Sequence, residues 1–376
     1  MNNTNSIESD RRPHSEALNL LRFPLALVVV FVHVFDGCVQ HMGESSMYWG
    51  VANFMKGFLS FQSVPVYFFI SGYVFFLGVT LTKEKYAQKL KNRVKTLLIP
   101  YIIWNVLVLL QYMVLRSPAF ANWGLAIQQV ELNPTWSGFL NCFWNVNHSI
   151  FPLPLYNNVS SIFPINEPLW FLRELMIVVL TAPAIYWLLK KTKFYLLIPL
   201  GLLKFIAPLC DWGYVSQLLT AYFFFSWGAY MSIWGKDMLV EFGRYARLSV
   251  VFYFLLGFLY IILMRYCPGA AQFVKQINIF VGLLFAYNLA AWCLRRGIFK
   301  SHAFLASASF FIYVSHKLLW VPLQKTLLFV LKPASTLTVI STYAATWFLC
   351  ILLLLATFWF LRQYTPSVLK VIAGRK

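Results

Sequence analysis

Long apolar runs separated by shorter polar and basic segments organise this chain. Ten runs approach or exceed the roughly 20 mostly apolar residues that a helix needs to cross a bilayer. They cover residues 17–39, 58–80, 96–115, 168–189, 194–210, 214–234, 248–265, 276–294, 303–330 and 336–361. Because proline cannot donate a helical hydrogen bond, we expect the ninth run to break near Pro322. The pattern predicts an all-α integral membrane protein with about ten transmembrane helices.

The placement of basic residues predicts the orientation of these spans. With the N-terminus in the cytoplasm, 21 lysines and arginines fall in the inner segments and five in the outer segments. Cytoplasmic segments carry an excess of Lys and Arg, so both termini are predicted to be cytoplasmic. The expected domains are a tail over 1–16, a single ten-helix domain over 17–362 with a periplasmic loop over 116–168, and a tail over 363–376.

The composition excludes the main alternatives to a membrane protein. Hydrophobic residues make up 60% of the chain and charged residues 11%, against about 25% charged residues in soluble domains. A water-soluble enzyme of this size has too little interior for so much apolar surface, and disorder is excluded with it. The net charge of the chain is +19. Its basic residues lie between the apolar runs and form no nucleic-acid-binding motif, so we expect no nucleic-acid partner. The six cysteines show no metal-ligand spacing with histidine, so we predict no metal site.

The longest connection, residues 116–168, lies on the predicted outer side and is rich in Asn, Pro, Ser and Trp. Loops of this length commonly act as lids or binding segments. Their aromatic and amide side chains suit carbohydrate, through stacking and hydrogen bonds. Tryptophan also favours the headgroup region of a bilayer, so contact with lipid is an equally good interpretation.

Arg22 and His33 are ionisable residues inside the first predicted span, where charges are costly and usually functional. Their separation of eleven residues is almost three helical turns, so both lie on one face, about 16 Å apart. A cation near the inner end and a base farther out indicate a path for a charged reactant, with His33 as general base. The alternative is that Arg22 reaches the headgroups and His33 is a hydrogen-bonded packing residue.

Arg173 and Glu174 lie early in the fourth predicted span. Glu174 then lies about 9 Å below the outer end of its helix, close to the depth of His33. A carboxylate at that depth orients an imidazole and stabilises its charged form, so His33 and Glu174 are the candidate catalytic residues. Alternatively, Arg173 pairs with Glu174 or with Glu167 and is purely structural.

A basic cluster of Lys89, Lys91, Arg93 and Lys95 precedes the third predicted span. Cations at a cytoplasmic helix end suit phosphate groups, although the same charges also set topology. Together with Arg22, the cluster predicts a polyphosphorylated ligand on the inner side. The candidate residues for binding it are Arg22, Arg93 and Lys95.

His316 and Lys317 lie in the middle of the ninth predicted span. We interpret them as candidate substrate contacts, together with Trp170 and Arg173 of the fourth span. Packing between helices is the competing explanation for His316 and Lys317.

Five segments, in order along the chain, resemble the motifs of the acyltransferase family 3 membrane proteins, which acylate cell-surface sugars. They are Arg22 with His33, residues 64–73, residues 91–101 with Trp104, residues 168–175 and residues 309–316. The resemblance covers nearly the whole chain. One position departs from it, because Thr96 stands where the basic motif has its second arginine, with Lys95 beside it. Lysine supplies the charge without the two-pronged geometry of arginine.

The resemblance implies an acyl-CoA donor, most often acetyl-CoA, and a carbohydrate or lipid-linked sugar as acceptor. It also implies a multi-pass protein of the bacterial cytoplasmic (inner) membrane. We expect no additional hydrolase-like domain, so the membrane domain completes transfer or a polysaccharide-biosynthesis partner takes the acyl group onward. The shape of CoA, with phosphates at one end and a thioester at the other, matches Arg22 and Arg93 with His33 about 16 Å deeper.

The sequence leaves two mechanisms and one different function open. His33 removes the proton of the acceptor hydroxyl as a general base, or it carries the acyl group as a relay. Glu174 would orient its ring, and Arg173 or Lys317 would stabilise the oxyanion. A proton-coupled transporter or flippase for a sugar-lipid or anionic substrate would also use Arg22 and His33, although the chain shows no internal repeat.

Overall fold

The computed structural model describes residues 16–35, 62–115, 135–145, 162–300 and 302–374. All regular secondary structure within these residues is helical. The helices are α1 Glu16–Phe35, α2 Ser63–Phe76, α3 Lys83–Arg93, α4 Ile99–Leu115, α5 Trp136–Asn141, α6 Trp170–Leu180, α7 Ala182–Thr192, α8 Leu197–Ile206, α9 Tyr214–Ile233, α10 Met238–Gly243, α11 Ala246–Tyr266, α12 Pro268–Arg295, α13 Ala303–Leu331, α14 Thr336–Tyr364 and α15 Pro366–Ile372.

Six helices of the described residues are long and apolar enough to cross a membrane, which confirms the prediction of an all-helical membrane protein. They are Glu16–Phe35, Lys83–Leu115, Ala246–Tyr266, Pro268–Arg295, Ala303–Leu331 and Thr336–Tyr364. Glu167–Leu180 and Ala182–Ile206, which meet at a bend of 62°, make a seventh candidate if they form one span. Helix α2 is also apolar but has only 14 residues. Ten spans therefore stays a prediction.

The predicted outer loop falls partly outside the described residues, which include only 135–145 and 162–168 of it. Helix α5 lies in the first of these pieces, where Thr135 caps it by accepting a hydrogen bond from the Gly138 N–H at 3.1 Å. The two pieces meet, because the Ile165 N–H donates to the Cys142 carbonyl at 2.7 Å. These two described pieces therefore lie against each other.

The basic segment before the third predicted span is itself helical. Helix α3 begins at Lys83, and the Thr82 side chain caps it by accepting a hydrogen bond from the Lys85 N–H at 3.3 Å. A π-helical turn over Val94–Leu98 then joins α3 to α4. Such turns are often found at functional sites, and this one borders the cavity described below.

The predicted break near Pro322 is wrong, because α13 runs without interruption over Ala303–Leu331. Proline lacks a backbone N–H and leaves the carbonyl four residues earlier without its helical donor. That carbonyl belongs to Leu318, and Gln111 of α4 donates to it through Nε2 at 2.5 Å. A side chain of a neighbouring helix thus replaces the missing hydrogen bond, which is how membrane helices tolerate proline.

Helices α2 and α9 cross so closely that their backbones touch at two glycines. A Cβ at Gly72 would lie 2.0 Å from the Phe225 carbonyl oxygen, and a Cβ at Gly228 would lie 2.0 Å from the Phe69 carbonyl oxygen. Neither position has room for a side chain. Small residues at such crossings let membrane helices approach and gain dispersion contacts. The crossing fixes α2, which forms one wall of the cavity.

Replacing Gly228 by Ala should therefore separate α2 from α9 and destabilise the protein by about 1–3 kcal/mol or more. The matched control is Gly269→Ala, because a Cβ at Gly269 meets no atom within 4 Å. Thermal unfolding in detergent, followed by tryptophan fluorescence, measures both variants. An unchanged Tm for Gly228→Ala would contradict the close crossing.

Replacing Gln111 by Leu should leave the Leu318 carbonyl without a donor and destabilise the protein by about 1–3 kcal/mol. The Pro322→Ala background supplies a backbone N–H at that position, so the same Gln111→Leu change should cost much less there. The unfolding midpoints of the wild type, the two single variants and the double variant together form a double-mutant cycle, which measures this difference. Equal costs in both backgrounds would rule out this role of Gln111.

Candidate active site

A cavity of about 660 Å³ lies among α1, α2, α3, α6 and α13. Its two ends differ in chemistry. Phe75 of α2 lies beside the cations Lys89 and Arg93 at one end, which we call the basic end. Tyr67, eight residues earlier on the same helix and thus about 12 Å away, belongs to the opposite, aromatic end.

Three cations line the cavity: Arg22 of α1 and Lys89 and Arg93 of α3. Lys89 Nζ lies 5.0 Å from the centroid of the Phe75 ring, and Arg93 Cζ lies 5.8 Å from it. Within the described part of the chain, no carboxylate lines the cavity to balance them. Aromatic faces compensate a cation only in part, so the cavity is suited to an anionic ligand.

The structure brings together two of the three residues predicted to bind the polyphosphorylated ligand. Arg22 and Arg93 line the same cavity although they belong to different helices. Lys95, the third, is exposed in the π-helical turn and does not line the cavity. Lys89 and Asn92 line it in that region instead. One helical turn separates Lys89 from Arg93, a spacing that the sequence already displays.

The C-terminal segment supplies a wall of the cavity that the sequence did not reveal. Ala373 and Gly374 line it just beyond α15. Trp104 of α4 holds this segment, because its Nε1 donates to the Ile372 carbonyl at 2.8 Å. A Cβ at Gly374 would lie 2.2 Å from the Thr96 carbonyl oxygen, and its φ of +57° also favours glycine. The predicted C-terminal tail is therefore packed against the π-helical turn.

Three aromatic rings close the other end of the cavity, and we call them the aromatic floor. The ring centroids of Tyr67, Phe171 and Tyr313 are 5.9 Å, 5.8 Å and 6.5 Å apart in pairs. The Tyr67 hydroxyl donates to the Arg22 carbonyl at 2.6 Å. The Tyr313 hydroxyl donates to the Pro168 carbonyl. Hydrogen bonds to main-chain atoms therefore hold two of the three rings.

His33 and His316 lie beyond the floor, with ring centroids 5.4 Å apart. His316 is buried one turn past Tyr313, and its Nδ1 lies 2.7 Å from the Tyr313 carbonyl and 3.2 Å from the Ile312 carbonyl. Carbonyl oxygens only accept, so Nδ1 carries the proton and Nε2 holds the lone pair in the neutral ring. Nε2 has no hydrogen-bond partner in the described part of the chain. The arrangement places an imidazole with an unused acceptor nitrogen next to the His33 ring.

Glu174 is held by residues other than His33. Arg173 donates to its Oε1 through Nε at 2.9 Å and through Nη2 at 2.7 Å, and Tyr214 donates to its Oε2 at 3.0 Å. Arg173 and Glu174 are both buried, with side chains 2% and 0% exposed. This geometry matches the structural alternative, in which the two form an ion pair. The role of Glu174 toward His33 stays a prediction.

Arg173 also fastens the outer loop to the bundle. Its Nη1 donates to the Trp144 carbonyl, and its Nη2 donates to the Ile162 carbonyl at 2.9 Å. The guanidinium carbon lies 4.9 Å from the Trp144 ring centroid and 5.1 Å from that of Tyr214. Most of its N–H groups are therefore already used by the protein itself.

Residues 162–169 enter the bundle with only a single 3₁₀ turn over Glu167–Leu169. Ile165 and Asn166 are each 1% exposed. Lys317 of α13 donates through Nζ to the Ile165 carbonyl at 2.9 Å. Asn105 of α4 accepts from the Asn166 N–H at 3.0 Å. Irregular backbone inside a membrane protein is tolerated where it is enclosed by protein and its polar groups are bonded.

The four predicted substrate contacts fall in three different places. Trp170 packs against a phenylalanine ring of α2 at 6.3 Å and does not line the cavity. Arg173 and Lys317 bind main-chain carbonyls. His316 alone of the four is a ring neighbour of His33 in the described contacts.

Comparison with known proteins adds an independent result. A family model described as an acyltransferase domain matches residues 15–362. The succinoglycan biosynthesis protein ExoH of Rhizobium meliloti (strain 1021) is 27% identical over 232 residues. That alignment covers 60% of this chain and 55% of ExoH, so the chain spans about half the length of this relative. No solved structure matches the chain.

Replacing Lys317 by Met should lower the free energy of unfolding by about 1.5–3 kcal/mol, because the buried Ile165 carbonyl loses a charged donor. Thermal unfolding in detergent without ligand measures this cost. Lys332→Met, at an exposed lysine just after α13, is the control and should leave the Tm unchanged. A Lys317→Met protein with the normal Tm but no catalytic turnover would instead favour the predicted substrate contact.

Proposed function

Because this chain belongs to the acyltransferase family, as its five motifs indicated, we propose that it is a membrane-embedded O-acyltransferase. The donor is an acyl-CoA, with acetyl as the group transferred. The acceptor is a hydroxyl of a surface or exported polysaccharide, or of a lipid-linked sugar. The match to a succinoglycan biosynthesis protein supports a polysaccharide acceptor.

One observation carries the proposal: a cavity lined by three cations ends at the aromatic floor, and two histidines lie just beyond. The CoA moiety is long and thin, with phosphates at one end and the thioester at the other. Arg22, Lys89 and Arg93 would bind the phosphates. The thioester would then point away from the basic end, toward His33 and His316.

In the proposed reaction, His33 takes the proton of the acceptor hydroxyl as a general base. The hydroxyl oxygen attacks the thioester carbonyl carbon, the carbon–sulfur bond breaks, and the departing sulfur receives the proton from His33. The lone pair on Nε2 of His316 is an acceptor close to His33, and an acceptor stabilises the imidazolium formed on the way. In the second form of the mechanism, His33 itself carries the acyl group before the acceptor hydroxyl takes it.

The proposed topology has ten spans, both termini in the cytoplasm, and a location in the bacterial inner membrane. Six long apolar helices support it. The remaining four spans would be α2, α6 with α7, α8 and α9. Lys193, which separates α7 from α8, has a φ of +55°, a backbone conformation found in turns. This orientation places the basic end of the cavity at the cytoplasm, where acyl-CoA is available.

The test is the binding and hydrolysis of acetyl-CoA by the purified protein in detergent. Arg22→Ala and Arg93→Ala should each weaken binding by about tenfold or more, because a charged hydrogen bond to phosphate is lost. His33→Ala should bind acetyl-CoA normally but hydrolyse it about a hundredfold more slowly. Calorimetry measures the binding, and chromatography of released CoA measures the turnover.

Lys85→Ala is the matched control, because Lys85 is an exposed cation on α3 that does not line the cavity. It should change neither quantity. Full turnover in His33→Ala would contradict both forms of the mechanism. A protein that binds neither acetyl-CoA nor succinyl-CoA would contradict the donor and favour the transporter alternative, which uptake of sugar-lipid into vesicles then tests.

A further inference from the structure

We propose that the C-terminal segment, residues 366–374, positions Arg93 for binding the donor phosphates, and that Trp104 holds this segment in place. The inference rests on the proposed function, because it concerns the affinity of the same cavity for acyl-CoA. Trp104 does not line the cavity. It is a positioning residue, which acts on Arg93 through the C-terminal segment and the π-helical turn.

The C-terminal segment is held by packing and by two main-chain contacts. Helix α15 has seven residues, which is too short for a helix to be stable alone in water. Its Leu369 is 2% exposed, so the helix packs into the bundle. Trp104 of α4 donates through Nε1 to the Ile372 carbonyl at 2.8 Å. A Cβ at Gly374 would lie 2.2 Å from the Thr96 carbonyl oxygen. The segment therefore bridges α4 and the π-helical turn.

The π-helical turn determines where Arg93 lies. Arg93 is the last residue of α3, and the turn begins at the next residue, Val94. The turn thus sets the direction of α3 relative to α4. Because π-helical turns are rare, local energetics alone do not favour them, and contacts from outside the turn are expected to stabilise this one. The contact of Gly374 with Thr96 restrains the backbone three residues from Arg93.

Repulsion between the cavity cations explains why Arg93 needs this restraint. Arg93 lines the cavity with Arg22 and Lys89, and no carboxylate of the described residues lines it. Like charges repel, so the free protein is more stable when these side chains move apart. The Phe75 ring, 5.8 Å from Arg93 Cζ, compensates the charge only in part. A restrained backbone keeps Arg93 at the cavity and lowers the cost of ordering it when phosphate binds.

Trp104→Phe is the direct test, because it removes the indole donor and keeps a ring beside Phe311, whose centroid lies 5.8 Å from that of Trp104. The purified protein in detergent is used. Calorimetry gives the Kd of acetyl-CoA, and chromatography of released CoA gives the KM and kcat of hydrolysis. The Kd and the KM should each rise about three- to tenfold. The kcat should not change, because the proposed role concerns donor binding alone.

Trp234→Phe is the matched control. Trp234 also donates through Nε1 to a main-chain carbonyl, that of Leu189 at 3.4 Å, but it does not line the cavity. This variant should keep the wild-type Kd, KM and kcat. A wild-type Kd in Trp104→Phe, or a lower kcat with an unchanged KM, would overturn the inference.

The Arg93→Ala background distinguishes positioning of Arg93 from a general loss of packing. In that background Trp104→Phe should change the Kd by less than about twofold, because the residue that it positions is absent. A general loss of packing would weaken binding by the same factor in both backgrounds. That result would contradict the role assigned to Trp104.

Gly374→Ala perturbs the other contact of the segment. Its methyl group would overlap the Thr96 carbonyl oxygen, so the Kd of acetyl-CoA should rise about tenfold or more. Gly235→Ala is the control, because Gly235 has the same φ of +57° but a Cβ there meets no atom within 4 Å. It has the same backbone strain without the contact and should keep the wild-type Kd. A folded Gly374→Ala protein with the wild-type Kd would count against the restraint.

Hydrogen exchange without donor separates this inference from the proposed function. The amides of Val94–Leu98 should exchange about threefold faster or more in Trp104→Phe than in the wild type or Trp234→Phe. Unchanged exchange there would overturn the restraint even in a protein that binds acetyl-CoA. If the wild type binds neither acetyl-CoA nor succinyl-CoA, the proposed donor is overturned, and faster exchange would still support the restraint of the turn.

Discussion

A polar main-chain group that leaves a helix inside an apolar bundle must find a partner, because water does not reach it. The main-chain polar groups of residues 162–169 are subject to this constraint, because the segment contains only a single 3₁₀ turn. Lys317 and Arg173 donate to their carbonyls, and Asn105 accepts from an N–H. The buried charges of α6 and α13 are thus first of all the partners of a segment that lacks regular helix.

The same hydrogen bonds set the geometry of the candidate site. Tyr313 and Lys317 lie one turn apart on α13, with His316 between them, and both donate to residues 162–169. That segment leads directly into α6, whose first turn carries Phe171. The segment therefore couples the position of Phe171 to that of His316. One set of contacts therefore places Phe171, Tyr313 and His316, whereas Tyr67 and His33 are carried by α2 and α1.

Features that depend on local pattern could be predicted from the sequence, and features that depend on a distant partner could not. The length of the apolar runs predicted the six long helices. The first run also predicted that Arg22 and His33, eleven residues apart, lie on one helix, which is α1. Pro322 does not break its helix because Gln111, 207 residues away in sequence, supplies the missing donor. The cavity wall at Gly374 arises from packing against the π-helical turn, which no local periodicity displays. Identifying such partners requires the tertiary structure.

The groups that surround each buried cation indicate whether it stabilises the fold or belongs to the candidate site. Lys204 is 1% exposed and donates to the Gln276 amide oxygen at 2.9 Å, and Arg173 binds a carboxylate and two carbonyls. Both cations are satisfied by the chain itself. Arg22 and Arg93 line a cavity that has no carboxylate in the described residues. Buried charge within a membrane protein is costly, and this cost is the physical reason for proposing an anionic ligand in the cavity.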